Sequence, residues 1–214
     1  RNRADADAQI GETLAGLVQA HPGRAAQNRQ GDTLRAHDTL EGAALARATC
    51  LVESCGVIGG PQVRNVGTIG GNVAHALPAG DGTTSLVALD AEADVALDGV
   101  RQWLPLRDLF VGPGQSRLDQ TRDVLAGFRF RLCGPREGSA FKRIMRPQGV
   151  ALPILGCAAW VRLDESGECF ADLRICIGPV AKVPARAEAV EGALRGAAVG
   201  ADAVERAVTV ARET

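Results

Sequence analysis

A group of glycines in the first half of the chain has the backbone properties that anion binding requires. Gly67, Gly70 and Gly71 lie close together, and because glycine has no Cβ, the chain there can take positive φ and approach a ligand closely. Successive main-chain N–H groups in such a bend form a concavity that binds anions. The pattern predicts a cradle for the pyrophosphate of a nucleotide, although paired glycines are also typical of a tight turn between strands.

Polar side chains flank these glycines. Thr68 and Asn72 offer hydroxyl and amide donors for phosphate oxygens, and Asp81 offers a carboxylate that accepts hydrogen bonds from a ribose or a ring N–H. Arg64 precedes the glycines and is expected to fix the turn rather than to contact a ligand.

The spacing of the motif excludes the common phosphate-binding loops. Gly67-x-x-Gly70-Gly71 is not Gly-x-Gly-x-x-Gly, and no Gly-Lys-Ser/Thr follows, so neither a Rossmann site nor a P-loop is expected. The histidines lack metal-ligand spacing, and no Gly-x-Ser-x-Gly context occurs. The sequence therefore predicts no metal site and no catalytic residue of its own.

The stretch from Arg64 to Asn72, followed by Pro78 and Asp81, resembles the second flavin motif of the FAD-binding subunits of molybdenum hydroxylases. This family includes the carbon monoxide dehydrogenase medium subunit and the xanthine dehydrogenase flavin domain. Three later stretches resemble the end of the flavin domain, the start of the C-terminal domain and its later strand and turn; they are residues 122–130, 140–143 and 175–186. The resemblance covers about residues 32–214.

By this resemblance, the family's FAD contacts fall on Thr68, Ile69, Gly70, Gly71, Asn72 and Asp81. Weaker matches are Ile58 beside the flavin, Leu125 at the end of the last strand and Lys142 near the flavin edge. Their alternatives are a helix-end core residue, a strand core residue and a solvated cation. His75 could approach the flavin or lie on the surface.

The N-terminal region departs from the family pattern. Residues 14–23 resemble the first helix of the flavin domain, and an Ala-Gly-Gly-Thr-Asp loop is expected after the strand that follows it. Residues 24–31 contain no such loop. We therefore expect a shortened nucleotide-binding lobe or an incomplete chain.

Composition limits the classes of partner. The 214 residues carry a net charge of −1, so neither nucleic acid nor an anionic membrane is an expected partner. No apolar run is long enough to span a bilayer and no signal peptide opens the chain, which predicts a cytoplasmic location.

Cys50-x₄-Cys55 matches half of a plant-type iron–sulfur spacing, but its second half is missing, so free thiols in the core are favoured.

The pattern of elements predicts an α+β fold. By the resemblance, a partial FAD-binding (PCMH-like) domain over residues 1–134 is followed by a small domain over residues 135–214, and Gly134-Pro135 breaks the chain between them. In the first domain, helices are expected over residues 10–18, 39–48, 51–58 and 83–89, short strands over 32–37 and 124–130, and a hairpin over 92–104 that turns at Asp98-Gly99. The second domain is expected to hold a three-stranded antiparallel sheet and two closing helices. Val124, Ala126, Phe128 and Phe130 are predicted to share the buried face of the strand that ends the first domain.

The resemblance implies an electron-transfer subunit that binds FAD. Its implied partners are a molybdopterin-binding large subunit and a small subunit with two [2Fe–2S] clusters, in a dimer of heterotrimers that passes electrons to NAD or another acceptor. Two alternatives stay open from sequence. One is a flavin-free structural or assembly subunit of the same complex, and the other is a sugar-nucleotide reductase of the same fold superfamily.

Overall fold

The computed structural model describes residues 47–145 and 153–213. The helix predicted over residues 10–18, the segment 24–31, the strand over 32–37 and nearly all of the helix over 39–48 lie outside the described residues.

Four short helices open the described chain: α1 (Thr49–Val57), α2 (Pro61–Val66), α3 (Ile69–Ala74) and α4 (Asp81–Ala88). α1 and α4 confirm the predicted helices to within a few residues. Pro61 begins α2, where its missing N–H leaves no intrahelical bond unmade, and Thr68 caps α3. These helices place the glycine motif on and around α3.

A three-stranded antiparallel sheet follows, with strand order β2-β1-β5. Its strands are β1 (Glu92–Leu97), β2 (Val100–Pro105) and β5 (Val124–Arg129). Asp98 and Gly99 turn the hairpin with φ of 49° and 79°, as this dipeptide predicts. A 3₁₀ helix (Leu106–Leu109) and the small pair β3 (Phe110–Gly112) and β4 (Gln115–Ser116) connect β2 to β5.

The predicted buried face of β5 is wrong, because the strand contains an irregularity in register. Its pairing with β1 shifts at Ala126, which leaves one extra residue on β5. Such a bulge interrupts the alternation of side chains along a strand. As a result Val124 is exposed, whereas Leu125 and Phe128 both pack against the core.

The second sheet has four antiparallel strands in the order β6-β7-β8-β9. They are β6 (Glu137–Met145), β7 (Pro153–Leu163), β8 (Phe170–Gly178) and β9 (Ala185–Arg186). The first three confirm the predicted strands. The prediction of only three was wrong because β9 is two residues long, too short to show an alternating pattern, and is held by pairing with β8. Helices α5 (Glu188–Leu194) and α6 (Ala201–Glu213) close the chain as predicted.

The second sheet separates two hydrophobic clusters. On one face, residues such as Leu173 and Ile175 pack under α5 and α6. On the other face, Phe141 and Trp160 join a cluster that includes Leu51 of α1 and Leu86 of α4. The helices that carry the glycine motif therefore rest on the second sheet. Within the described ranges, no helix combines the length and the apolar character needed to cross a membrane.

Candidate nucleotide-binding site

The glycine motif forms the first turn of α3. Thr68 caps the helix from an extended conformation, and its Oγ1 accepts a hydrogen bond of 2.9 Å from the Gly71 N–H. Gly67, at the end of α2, has φ of −71°, and neither Gly70 nor Gly71 has positive φ. None of the three glycines uses the positive φ that glycine allows, because an extended residue followed by a helix makes the bend.

The glycines leave the backbone of this turn uncovered. A Cβ on Gly70 would meet only Thr68 Oγ1, at 3.8 Å, and a Cβ on Gly71 would meet the same atom at 3.2 Å. The first N–H groups of a helix have no intrahelical acceptor, and among the described residues the N–H of Gly70 has no acceptor of another kind. Within the described ranges, the turn thus presents the Gly70 N–H beside two glycines that have no side chain.

The Thr68 and Asn72 side chains are oriented by the bonds they already make. Because Thr68 Oγ1 accepts from Gly71, its O–H remains to donate outward. Asn72 Oδ1 accepts from the Thr83 N–H at 3.1 Å and from the Thr83 hydroxyl at 3.3 Å. This ties α3 to α4 and leaves the Asn72 amide N–H₂ as a donor. Both residues therefore keep the donor function that the sequence predicted for them.

Asp81 begins α4 and is buried against the second sheet. Its Oδ2 accepts from a guanidinium N–H of Arg143 on β6 at 2.5 Å, and both side chains are nearly inaccessible, at 5% and 3%. Burial raises the pKa of Asp81 to about 6, and the neighbouring Arg143 opposes that rise. The carboxylate that the sequence assigned to the ligand is thus also the anchor of α4.

Two glycines of the second sheet allow the segment from Pro78 to Asp81 to approach the sheet closely. Gly156 and Gly178 are paired across β7 and β8. A Cβ on Gly156 would lie 3.5 Å from Asp81 Oδ1, and a Cβ on Gly178 would lie only 2.2 Å from the Pro78 carbonyl oxygen. The loop before α4 therefore packs directly on the backbone of the sheet.

The other residues predicted to contact the flavin differ in how deeply they are buried. Ile69 is buried in the core cluster, so its side chain anchors α3. Leu125 and Ile58 are half-buried members of the same core cluster as Ile69. His75 is exposed at the end of α3. Their proposed flavin contacts stay predictions.

Arg64 bonds to the backbone of the turn that precedes α2. Its guanidinium donates to the carbonyl oxygens of Ile58 at 3.1 Å and Gly59 at 2.8 Å. These bonds join the end of α1 to α2, so Arg64 holds the turn between these two helices. That Arg64 fixes the glycine turn stays a prediction.

Lys142 is not brought together with the motif. Side chains alternate along β6, so Phe141 and Arg143 face the helices of the motif whereas Ala140 and Lys142 face the other side. Lys142 is exposed there. Sequence reasoning missed Arg143, although the apolar Phe141 two residues before it signals which face of the strand is buried.

The cysteines behave as core residues. Five are buried and Cys169 is half-buried, and none of the six, all within the described ranges, forms a disulfide. Burial raises the pKa of the Cys50 thiol to about 12 and the pKa of Cys176 still further. No group of side chains able to hold a metal ion occurs in the part of the chain that the structure describes.

The fold and the open glycine turn define the class of protein. Residues 28–130 match the family of FAD binding domains in molybdopterin dehydrogenase, and residues 139–214 match the CO dehydrogenase flavoprotein C-terminal domain. The chain belongs to this family of flavin subunits, and the α+β fold class predicted from sequence is confirmed.

Individual relatives agree with this assignment. The xanthine dehydrogenase FAD-binding subunit of Escherichia coli O157:H7 is 32% identical, over 69% of this chain and 50% of the relative. The nicotinate dehydrogenase FAD-subunit of Eubacterium barkeri is 29% identical, over 77% of this chain and 56% of the relative. This chain thus spans about half the length of these relatives.

Solved structures show the same fold. Carbon monoxide dehydrogenase from Hydrogenophaga pseudoflava superposes with a TM-score of 0.75 at 29% identity, covering 86% of this chain and 65% of that one. Quinoline 2-oxidoreductase from Pseudomonas putida superposes with a TM-score of 0.72 at 19% identity, covering 83% of this chain and 61% of that one, which shows the fold alone.

Proposed function

We propose that this chain is the FAD-binding, electron-transferring subunit of a molybdenum-containing hydroxylase or dehydrogenase. The observation that carries the proposal is the uncovered first turn of α3, in a chain of this family. A turn packed under its own side chains would leave no room for a pyrophosphate.

The donors on this turn suit a pyrophosphate. The Gly70 N–H, the Thr68 hydroxyl and the Asn72 amide all donate, and phosphate oxygens only accept. Gly71 keeps the surface open beside them. Bound FAD supplies the redox chemistry, and the protein supplies position and electrostatics.

The remaining site residues belong to the same proposal. Asp81 stands behind the cradle as an acceptor whose Oδ2 is already bonded to Arg143. Leu125 supplies an apolar wall, supported by the packing of its strand in the cluster that also contains Ile69. Lys142 is retained from the resemblance alone, since its position on β6 does not favour it.

The partners and the acceptor are also proposed from the family. We infer a molybdopterin-binding large subunit and a small subunit with [2Fe–2S] clusters, assembled as a dimer of heterotrimers in the cytoplasm. NAD or another acceptor would receive the electrons. We place the boundary between the FAD-binding domain and the C-terminal domain at Gly134, in the segment between β5 and β6.

FAD binding by the purified chain is the direct test. Titration with the protein is expected to quench flavin fluorescence and to perturb the flavin absorbance bands. Gly70→Asp is expected to weaken binding by at least tenfold, because it places a carboxylate against the pyrophosphate, while an acidic residue in a first helical turn leaves the fold intact. Gly192→Asp adds the same charge in α5, at a position where a Cβ meets nothing, and serves as the matched control.

A chain that stays colourless with excess FAD would contradict the flavin role. If that chain still bound the iron–sulfur and molybdenum subunits in a pull-down, the flavin-free assembly subunit would be the better description.

A further inference from the structure

We propose that Gly82 and Thr83 of α4 are positioning residues of the flavin site, which hold the carboxamide oxygen of Asn72 so that its N–H₂ faces the ligand. Both residues act through Asn72, and neither is expected to touch the flavin nucleotide itself. This inference rests on the proposed function, because it concerns the orientation of a donor in the same cradle.

The start of α4 has no capping side chain of its own. Its N-cap residue is Gly80, and no side-chain cap hydrogen bond is made there. The first N–H groups of a helix need acceptors from outside that helix. Asn72 Oδ1 supplies one, because it accepts from the N–H of Thr83, the third residue of α4, at 3.1 Å. Asn72, which lies on α3, thus caps the neighbouring helix.

Two glycines make room for this carboxamide. A Cβ on Gly82 would lie 3.1 Å from Asn72 Oδ1, and a Cβ on Gly80 would lie 3.2 Å from the same oxygen. Both distances are shorter than an ordinary contact between non-bonded atoms. The Cβ on Gly82 would also lie 3.4 Å from Ile69 Cδ1, so a side chain there would press on α3 at two points. The Asn72 oxygen is therefore seated in a crevice that the glycines leave open.

These contacts fix which end of the Asn72 carboxamide faces the cradle. The Thr83 N–H can only donate, so the opposite orientation would place the Asn72 N–H₂ against another donor and leave that N–H unpaired. The hydroxyl of Thr83, which is fully buried, adds a second bond to the same oxygen at 3.3 Å. With the oxygen held by α4, the N–H₂ is the end that remains for a ligand. The arrangement therefore selects an accepting group, such as a phosphate oxygen.

Removal of the hydroxyl tests the role of Thr83 in the full-length chain. Thr83→Val is expected to weaken FAD binding by about fivefold, because one of the two bonds that orient Asn72 is lost. Thr83→Ser keeps the hydroxyl and should retain most of the affinity. Thr84→Val is the matched control: Thr84 is also buried, and its hydroxyl donates to the Gly80 carbonyl oxygen at 3.0 Å. This control should lower thermal stability without changing FAD affinity.

Gly82→Ala tests the second positioning residue without removing a hydrogen-bonding group. The added methyl group should displace the Asn72 carboxamide, because it would meet the oxygen at 3.1 Å. FAD binding is expected to weaken by about fivefold, since a donor must be held closely in place to contribute. Gly192→Ala adds the same methyl group in α5, where it meets nothing within 4 Å, and should leave the affinity unchanged.

A double-mutant cycle distinguishes positioning from a general loss of structure. If both residues act through Asn72, Thr83→Val and Gly82→Ala should cost little further affinity in an Asn72→Ala background. A second readout needs no flavin. The side-chain amide signal of Asn72 in a ¹⁵N–¹H NMR spectrum, identified by its loss in Asn72→Asp, should move in Thr83→Val and in Gly82→Ala and stay in place in Thr84→Val.

Several outcomes would overturn the inference. They are an unchanged affinity in Thr83→Val or Gly82→Ala, an equal loss in Thr83→Ser or Thr84→Val, or losses that persist in full in the Asn72→Ala background. If Thr83→Val does not fold, Gly82→Ala alone and in the Asn72→Ala background decides in the same way. A wild-type chain that binds no FAD would instead refute the proposed function. The Asn72 amide signal would then still test the orientation, and a signal unmoved in Gly82→Ala would contradict it.

Discussion

The Pro78 carbonyl oxygen stands 2.2 Å from the position that a Cβ on Gly178 would occupy. No side chain can be accommodated at that distance, so the loop before α4 and the end of β8 meet backbone to backbone. Because Pro78 lies between α3 and α4, this contact fixes the distance between the glycine motif and the second sheet. The glycine motif and the second sheet are thereby held together as one structural unit.

Gly178→Ala is therefore expected to destabilise the protein by about 2–4 kcal/mol, because the added methyl group must displace backbone rather than a flexible side chain. Urea unfolding followed by circular dichroism measures this change. Gly192→Ala is the control: its Cβ meets nothing within 4 Å, and alanine is the better helix former, so stability should rise by up to about 1 kcal/mol. Equal effects of the two variants would contradict the close contact.

Asn72→Asp separates the structural and the binding roles of Asn72. The variant keeps an oxygen that accepts from the Thr83 N–H, so stability should change by less than about 1 kcal/mol. It replaces the amide donor with a negative charge, so FAD affinity should fall by about tenfold or more. Thermal unfolding and flavin fluorescence measure the two effects. Asn72→Ala, which leaves the Thr83 N–H unbonded, should instead lose about 1–3 kcal/mol of stability.

Asp81 is expected to make stability depend on pH in the direction opposite to that of most carboxylates. The folded carboxyl keeps its proton from its ordinary pKa of 3.8 up to about 6, whereas the unfolded chain has released it. The folded state therefore binds more protons in this window, and its stability falls as the pH rises through it. Relative to Asp81→Asn, the wild type should lose roughly 1–3 kcal/mol between about pH 4 and about pH 7. Chemical unfolding at each pH measures this, and parallel profiles would refute the raised pKa.

Thiol labelling should report the burial of the cysteines. Only the thiolate reacts, and burial holds the pKa of Cys50 at about 12. We expect Cys169, which is half-buried, to react with an aromatic disulfide first, and the other five to react only after denaturation. Cys169→Ser should remove the fast phase. A fast phase that survives in this variant would show that at least one of the five buried cysteines becomes accessible in the folded protein.

Much of this structure follows from local signals. The Asp98-Gly99 turn, the helices at 49–57 and 81–88 and the three long strands of the second sheet all appear as patterns within a few residues. The glycine motif is similarly local, so its residue types and its resemblance to a flavin motif are visible without any structure. Arg64 belongs here too, because its two acceptors are only a few positions away.

Other features depend on partners distant in the chain. The extra residue at Ala126 is defined by pairing with β1, and β9 exists only because β8 lies beside it. Sequence reasoning named Lys142 from the resemblance and did not consider Arg143, because a motif match gives position in the chain but not the face of a strand. That face is set by whether Phe141, the neighbouring apolar residue, reaches the core.

The sequence alone determined the chemistry available to this protein. It places glycines, the hydrogen-bond donors Thr68 and Asn72, and the carboxylate of Asp81 at the spacing of a flavin motif. Only the tertiary structure decided that the glycine turn stays uncovered and that the carboxylate is buried against Arg143. The reason is that openness and burial depend on what distant parts of the chain bring close, and Asp81 and Arg143 are 62 positions apart in the sequence.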